Sequence, residues 1–195
     1  MAAAIYHRIT ITGDPGSGKT TFARNVAART GYRLITTGNM FRELAKKKGI
    51  SVAALNELAE TQEEIDREVD DYIKGLNSAA EHLVLDSRMA WKFLSNALKI
   101  RLTVDLPVAV ERIFNDKERA VSWNDSFPDL ETAVDEVKRR RQSEILRYQT
   151  LYGVNIGEDA NFDLVINTSH KTQQEVLAEF DAAFENYKAR AGKAA

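Results

Sequence analysis

The chain of 195 residues has no cysteine, three prolines and two tryptophans, and its charges nearly cancel, with 27 Lys and Arg against 29 Asp and Glu. Lack of cysteine excludes a disulfide scaffold, thiolate metal ligation and a thiol nucleophile, and it agrees with a reducing cytoplasm. A formal net charge of -2 leaves no overall basic field to draw the protein onto nucleic acid or an anionic membrane. Any anion binding is therefore local. No stretch reaches the apolar length of a membrane span, and Met1 to Arg8 lacks the basic region and apolar run of a secretory signal. A 44% hydrophobic content with so little proline fits one compact, largely helical domain over residues 1–195, expected to be a soluble cytoplasmic monomer. His7, His82 and His170 have no paired ligands in sequence and read as surface or packing residues.

Short β-branched or Leu-rich runs alternate with longer segments of helical period. Arg8–Thr12, Arg33–Thr36, His82–Asp86, Ile100–Val104 and Asp163–Asn167 have the character of buried parallel strands. The segments between them repeat apolar residues every three or four positions. This order predicts an α/β fold, a five-stranded parallel sheet with right-handed crossovers and helices on both faces. Two stretches depart from simple alternation. Residues 39–80 are too long and too helical for one crossover and suggest a helical insertion. Residues 115–130, with Lys117, Arg119, Trp123 and Pro128, read as a polar loop of the length that usually makes a lid.

The sharpest signal is Gly13-Asp14-Pro15-Gly16-Ser17-Gly18-Lys19-Thr20, a match to G-x-x-x-x-G-K-[ST] after an apolar strand and before an amphipathic helix. Glycines at 13, 16 and 18 permit the backbone angles and close approach that let successive N–H groups point at phosphate oxygens. The helix N-terminus favours the same anion. Lys19 is placed to neutralise the β- and γ-phosphates of ATP, and the Thr20 hydroxyl to ligate Mg2+, with Thr21 beside it. A chance match is expected in about one chain in a hundred of this length, before the strand and helix context is required.

The motif leaves the reaction open, since switches, motors and kinases share it. A guanine-nucleotide switch needs N-K-x-D after a later strand, and Asn115-Asp116-Lys117-Glu118 has the letters in the wrong order. A small-molecule kinase must hold a second substrate and supply cations as charge moves between donor and acceptor. Arg42 follows Thr37-Gly38-Asn39 at the start of a helix, where it either meets an anion or is simply exposed. Arg88 stands at the carboxyl edge of the sheet, where ligands of open α/β folds bind, or else pairs with a neighbouring helix. Asp86 either holds a Mg2+-bound water or caps the next helix. Arg140, Glu144 and Arg147 share one helix face, which on spacing alone is usually a solvated ion-pair ladder. Arg139 and Arg141 point elsewhere, toward solvent.

Over nearly its whole length the chain resembles the cytidylate kinases, especially the short archaeal-type branch of the P-loop nucleoside monophosphate kinases. The residues that carry the resemblance are Ile11 to Thr20, Thr37 to Ala45, Asp86-Ser87-Arg88, Leu98 to Leu102, Arg140 through Glu144 to Tyr148, Tyr152-Gly153 and Phe162 to Thr168. Ser87 stands where the family usually has Gly, and Asn39 where Asp is common. The resemblance implies transfer of the γ-phosphoryl group of ATP to CMP, and to dCMP, with Mg2+. It implies that Thr37, Gly38 and Arg42 bind the CMP phosphate and that Arg88 reaches the same phosphate or the cytosine. Arg140 and Glu144 are implied to hold the pentose hydroxyls, Arg147 to lie near the transferring phosphate, and Lys117 and Arg119 to belong to a lid over ATP. Lys19, Arg88 and Arg147 form the implied catalytic set. Two other readings remain at this level: the same chemistry on AMP, UMP, dephospho-coenzyme A or a small metabolite, and a nucleotide-binding regulatory protein without turnover.

Overall fold

The computed structural model describes residues 7–50, 52–59, 61–116 and 127–193. Its strands are β1 (Arg8–Gly13), β2 (Arg33–Thr36), β3 (Leu83–Asp86), β4 (Ala97–Thr103) and β5 (Leu164–Asn167). They form one parallel sheet in the order β2-β3-β1-β4-β5. β4 starts earlier than its apolar run suggests, because Arg8 and Ile9 of β1 pair with Ala97 and Leu98. A central strand needs a partner for each of its backbone groups, and that requirement overrides local pattern.

The helices are α1 (Lys19–Thr30), α2 (Thr37–Lys48), α3 (Val52–Ala59), α4 (Glu63–Gly75), α5 (Ala90–Phe93), α6 (Leu106–Phe114), α7 (Leu130–Tyr152) and α8 (Gln173–Lys193). Thr37-Gly38-Asn39 is the first turn of α2 itself rather than a turn preceding it. Left-handed glycines close three helices: Gly31 after α1, Gly49 after α2 and Gly153 after α7. At the other end of α7 the Asp129 carboxylate accepts from the Thr132 N–H at 2.8 Å, so that helix starts at a built cap. Lys117, Arg119 and Trp123 lie outside the described residues, and with them most of the expected lid.

Alternation along the strands sends apolar side chains to both sides of the sheet. Ile9, Ile11, Val84, Leu98, Ile100 and Leu102 meet Phe22, Ala23 and Val26 of α1 and Val176, Phe180 and Phe184 of α8. On the opposite face Leu83, Leu85 and Ile35 pack against Val69 and Ile73 of α4 and Ala90 and Leu94 of α5. A third cluster, Val110 and Ile113 with Ala133 and Val137, joins α6 to α7. The helical insertion α2–α4 closes on its own small core of Ala45, Leu55, Ala59 and Ile65. Each helix that carries a candidate site residue is thus fixed to the sheet or to a helix that is.

Phe180 is fully buried, edge-on to Phe22 and stacked on Phe184. Phe180→Ala is expected to cost about 3–5 kcal/mol, read as a lower urea midpoint with unchanged m-value. A loss below about 1 kcal/mol would contradict this packing.

Candidate active site

β1 ends at Gly13, the chain turns, and α1 begins at Lys19. The turn holds its shape because side chains are excluded from it. A Cβ on Gly13 would lie 2.4 Å from the Leu102 carbonyl oxygen, and one on Gly16, at φ +77°, would lie 2.8 Å from the Ala109 carbonyl oxygen. The loop is therefore clamped between β4 and α6 at glycines that no larger residue replaces. Its open side borders a cavity of about 580 Å³, lined by Pro15, Gly16, Gly18, Lys19, Thr20 and Thr21 from the loop and α1.

Thr37, Gly38 and Arg42 of α2 line the same cavity, as do Asp86, Arg88, Arg140, Glu144 and Arg147. The Thr20 hydroxyl donates to Asp86 Oδ2 at 2.6 Å, which places the two candidate metal ligands in direct contact. β1 and β3 are neighbours with Ile11 opposite Asp86, so the sheet order itself makes that meeting. Gly13, Asp14 and Ser17 do not line the large cavity, and Ser17 borders a second one. The Asp14 carboxylate faces Arg141 at 3.2 Å and Arg101 at 3.6 Å, behind the loop, and Asp159 completes that group through Arg101. Arg141 keeps a side chain 42% exposed to solvent, as its position suggests, and also reaches the Asp14 carboxylate along the back of the loop.

Arg88 spans three segments. Its Nε and Nη2 donate to the two Glu144 oxygens at 2.7 and 3.0 Å, while Nη1 donates to the Gly13 carbonyl at 2.6 Å. Arg140 Nε adds a longer bond to Glu144 at 3.4 Å. The pairing with a neighbouring helix, one of the two sequence-level readings of Arg88, is thus present, and it lies inside the cavity. Arg147 Nε faces Asp66 Oδ2 at 3.0 Å, and the guanidinium sits 5.1 Å from the Tyr148 ring centroid. Arg42 donates to Asn39 in the first turn of its own helix.

Burial drives the Lys19 ammonium down to about 7, and the Arg88 guanidinium adds to this while Asp86 opposes it. For Glu144, burial pushes the carboxyl up, but Arg88 and Arg140 outweigh it and hold the group at about 2. Cations thus crowd a low-dielectric space in which a bound phosphate would stabilise each of them.

Several cavity residues escaped the sequence reading. Arg112 of α6 donates to the Gly16 carbonyl at 3.3 Å and to the Thr168 carbonyl at 2.7 Å, bridging the loop to the end of β5. It also borders a second cavity of about 240 Å³, with Phe22, Asn25, Lys171 and Val176. Asp66 and Asp70 of α4 line the large cavity as well. For these two a signal did exist: acids spaced i, i+4 alongside Ile65, Val69 and Ile73 on a helix that must bury a face.

A glycine-rich loop between a parallel strand and a helix N-terminus, facing a carboxylate at the end of the adjacent strand, defines a P-loop nucleotide-binding site. Residues 8–170 match the model of the cytidylate kinase-like family. The chain is 33% identical over 181 residues to a cytidylate kinase of Haloquadratum walsbyi, covering 92% of this chain and 90% of that one. It is 35% identical over 173 residues to a cytidylate kinase of Methanosarcina barkeri, covering 87% and 92%. Among solved structures, shikimate kinase from Acinetobacter baumannii in complex with shikimate matches with a TM-score of 0.54 and 17% identity, over 94% of this chain and 95% of that one, a likeness of fold. The chain belongs to the cytidylate kinase-like family.

A carboxyl held below its ordinary value of 4.5 stabilises the fold above that value, and the stabilisation is lost as pH falls through 4.5 toward 2. Glu144→Gln is expected to cost on the order of 3 kcal/mol at neutral pH, because Arg88 is left buried without its counterion. The gap to wild type should narrow through the acid range. Denaturant titrations across that range check this, and a gap that stays constant with pH would contradict it.

Proposed function

We propose that the protein transfers the γ-phosphoryl group of ATP to CMP, and to dCMP, giving ADP and the pyrimidine nucleoside diphosphate. The observation that carries this reading is the single cavity in which Lys19 and Thr20 of the phosphate loop face Arg42, Arg140 and Arg147 from two other elements. One end suits a triphosphate and the other a second phosphate, which is the layout an in-line transfer needs.

In this reading an oxygen of the CMP phosphate attacks the γ-phosphorus while the bond from that phosphorus to the β–γ bridging oxygen breaks, and ADP leaves with the electron pair. The acceptor is already an anion at neutral pH, so no protein base is required. Lys19 neutralises the β- and γ-phosphates, Arg147 stands by the transferring group, and Thr37, Gly38 and Arg42 hold the CMP phosphate. Arg140 and the Arg88–Glu144 pair face the pentose and the acceptor phosphate. Gly13 to Thr21 wrap the triphosphate, and the second cavity, with apolar Phe22 and Val176 beside the Arg112 guanidinium, suits the adenine. The hydroxyl of Thr20 and the carboxylate of Asp86 are hard oxygen donors in contact, a set that fits Mg2+. When bound, that ion neutralises charge on the phosphate oxygens. Residues 39–80 serve as the acceptor-binding insertion. Among the described residues no helix is long and apolar enough to cross a membrane. The same reading makes the protein a cytoplasmic monomer acting on small molecules.

Lys19→Ala is expected to reduce CMP-dependent ADP release roughly a thousandfold; near-normal turnover in that variant would overturn the mechanism. Arg42→Ala should raise the KM for CMP roughly tenfold to a hundredfold and leave that for ATP nearly unchanged. Equal loss for both substrates would make Arg42 a structural residue.

A further inference from the structure

The second residue of the phosphate loop is an acid. A carboxylate beside a bound triphosphate opposes the anion that the loop N–H groups and the helix N-terminus attract, so Asp14 is adverse there unless its charge is turned away and neutralised. Both conditions hold. The Asp14 side chain is 11% exposed and lies between the guanidiniums of Arg101, from β4, and Arg141, from α7, at 3.6 and 3.2 Å. Arg101 is itself 6% exposed, and Asp159 is its second partner. Asp14 Oδ2 is fully buried without an aligned hydrogen bond, so attraction to the two guanidiniums is what offsets its desolvation. The void that Asp14 borders, with Arg88, Arg101, Arg141 and Glu144, measures about 20 Å³, room for a water molecule but not for a phosphate.

The main chain is held at the same place. The Asp14 N–H donates to the Leu102 carbonyl at 3.0 Å and the Asp14 carbonyl accepts from the Ser17 N–H at 3.2 Å, so this residue opens the turn that leads to Gly16, Gly18 and Lys19. One residue earlier the Gly13 carbonyl accepts from Arg88, whose other donors hold Glu144. Arg141 and Glu144 lie one turn apart on α7. That helix therefore grips two successive loop residues, Gly13 through Arg88 and Asp14 directly, and it also carries Arg140 and Arg147 into the large cavity.

We propose that Asp14 is a positioning residue for the donor: held from behind by Arg101 and Arg141, it fixes the tilt of the phosphate loop against α7, and with it the place of the ATP γ-phosphoryl group relative to the acceptor. The assignment rests on the reading of the loop as an ATP site and deepens it, since Asp14 acts through the loop backbone without touching the nucleotide. Arg101 is the fixed half of the anchor, because it stands opposite Thr12 in the pairing of β4 with β1. Arg141 is the half that ties the loop to α7. Two guanidiniums and the carboxylates of Asp14 and Asp159 cancel in charge, so the cluster contributes alignment rather than a field at the phosphates. In-line transfer is sensitive to that alignment, since a displacement of about 1 Å can cost a hundredfold in rate. Acting on ATP through its charge, Asp14 would weaken binding and its removal would tighten it; acting as an anchor, its removal loosens binding.

The test measures binding of a non-hydrolysable ATP analogue by calorimetric titration, and kcat/KM for ATP at saturating CMP, in wild type, Asp14→Asn, Arg141→Met and the double variant. Asp14→Asn is expected to weaken analogue binding roughly threefold to tenfold and to lower kcat/KM for ATP roughly tenfold to a hundredfold, with the KM for CMP nearly unchanged. Arg141→Met should show the same pattern to a smaller degree and should add no further loss once Asp14 is Asn. Arg139→Met, which removes the same charge from an exposed pair with Glu136 on the same helix, should leave analogue binding unchanged. Tighter or unchanged binding in Asp14→Asn overturns the assignment, and so do losses that multiply in the double variant. If Asp14→Asn does not fold, Arg141→Met decides alone, and a loss no larger than that of Arg139→Met overturns the assignment. Absence of CMP-dependent ADP release in wild type removes the CMP reading instead, and the analogue titrations still decide the role of Asp14.

Discussion

The Arg88 guanidinium is the contact through which three parts of the site hold one another. It ties the Gly13 carbonyl, where the phosphate loop leaves β1, to the Glu144 carboxylate on α7, and it starts from the residue pair just beyond β3. Each of those segments has its own reason for being where it is: parallel pairing for β1 and β3, and apolar packing on α6 for α7. The guanidinium adds alignment, because its donors lie in one plane and a bidentate pair tolerates little rotation. Removing either partner leaves a buried charge, so the distance from the loop to the helix face is held by an interaction that is costly to break.

Around that bridge the cavity is unbalanced by design of its parts. Lys19, Arg42, Arg88, Arg140 and Arg147 converge on it, and the carboxylates that face them are largely committed to one another's neighbours: Glu144 to Arg88, Asp86 to Thr20, Asp66 to Arg147. Burial lowers the Lys19 ammonium first, and the neighbouring Arg88 guanidinium adds to that shift. Phosphates brought in by two substrates relieve the imbalance, and they do so most fully when charge is spread between donor and acceptor. This is the condition under which binding groups also accelerate transfer.

Much of this was legible in the sequence because it is periodic or contiguous. The strands show as β-branched runs, the phosphate loop is eight consecutive residues, and the spacing of Arg140, Glu144 and Arg147 places them on one face by helix geometry alone. What stayed hidden depends on elements far apart in the chain. Arg112 reaches Thr168, and Arg141 and Arg101 reach Asp14, only because the sheet order brings β4, β5 and the loop together. For Asp66 and Asp70 the spacing beside Ile65, Val69 and Ile73 marks a buried face, but the partners appear only once α4 packs against β3 and Asp70 meets Tyr152 of α7. Local pattern reports which face of a helix is apolar, but not which buried polar group a neighbouring helix will meet.

In the proposed reaction one cavity brings ATP and CMP together for direct transfer. Incubating the purified protein with CMP and ATP labelled at the γ-phosphorus, and following the label, tests it most directly. With direct transfer the label appears as the β-phosphate of CDP in step with ADP. Label released as inorganic phosphate at the same rate with and without CMP, or carried faster to UMP or AMP, would contradict it.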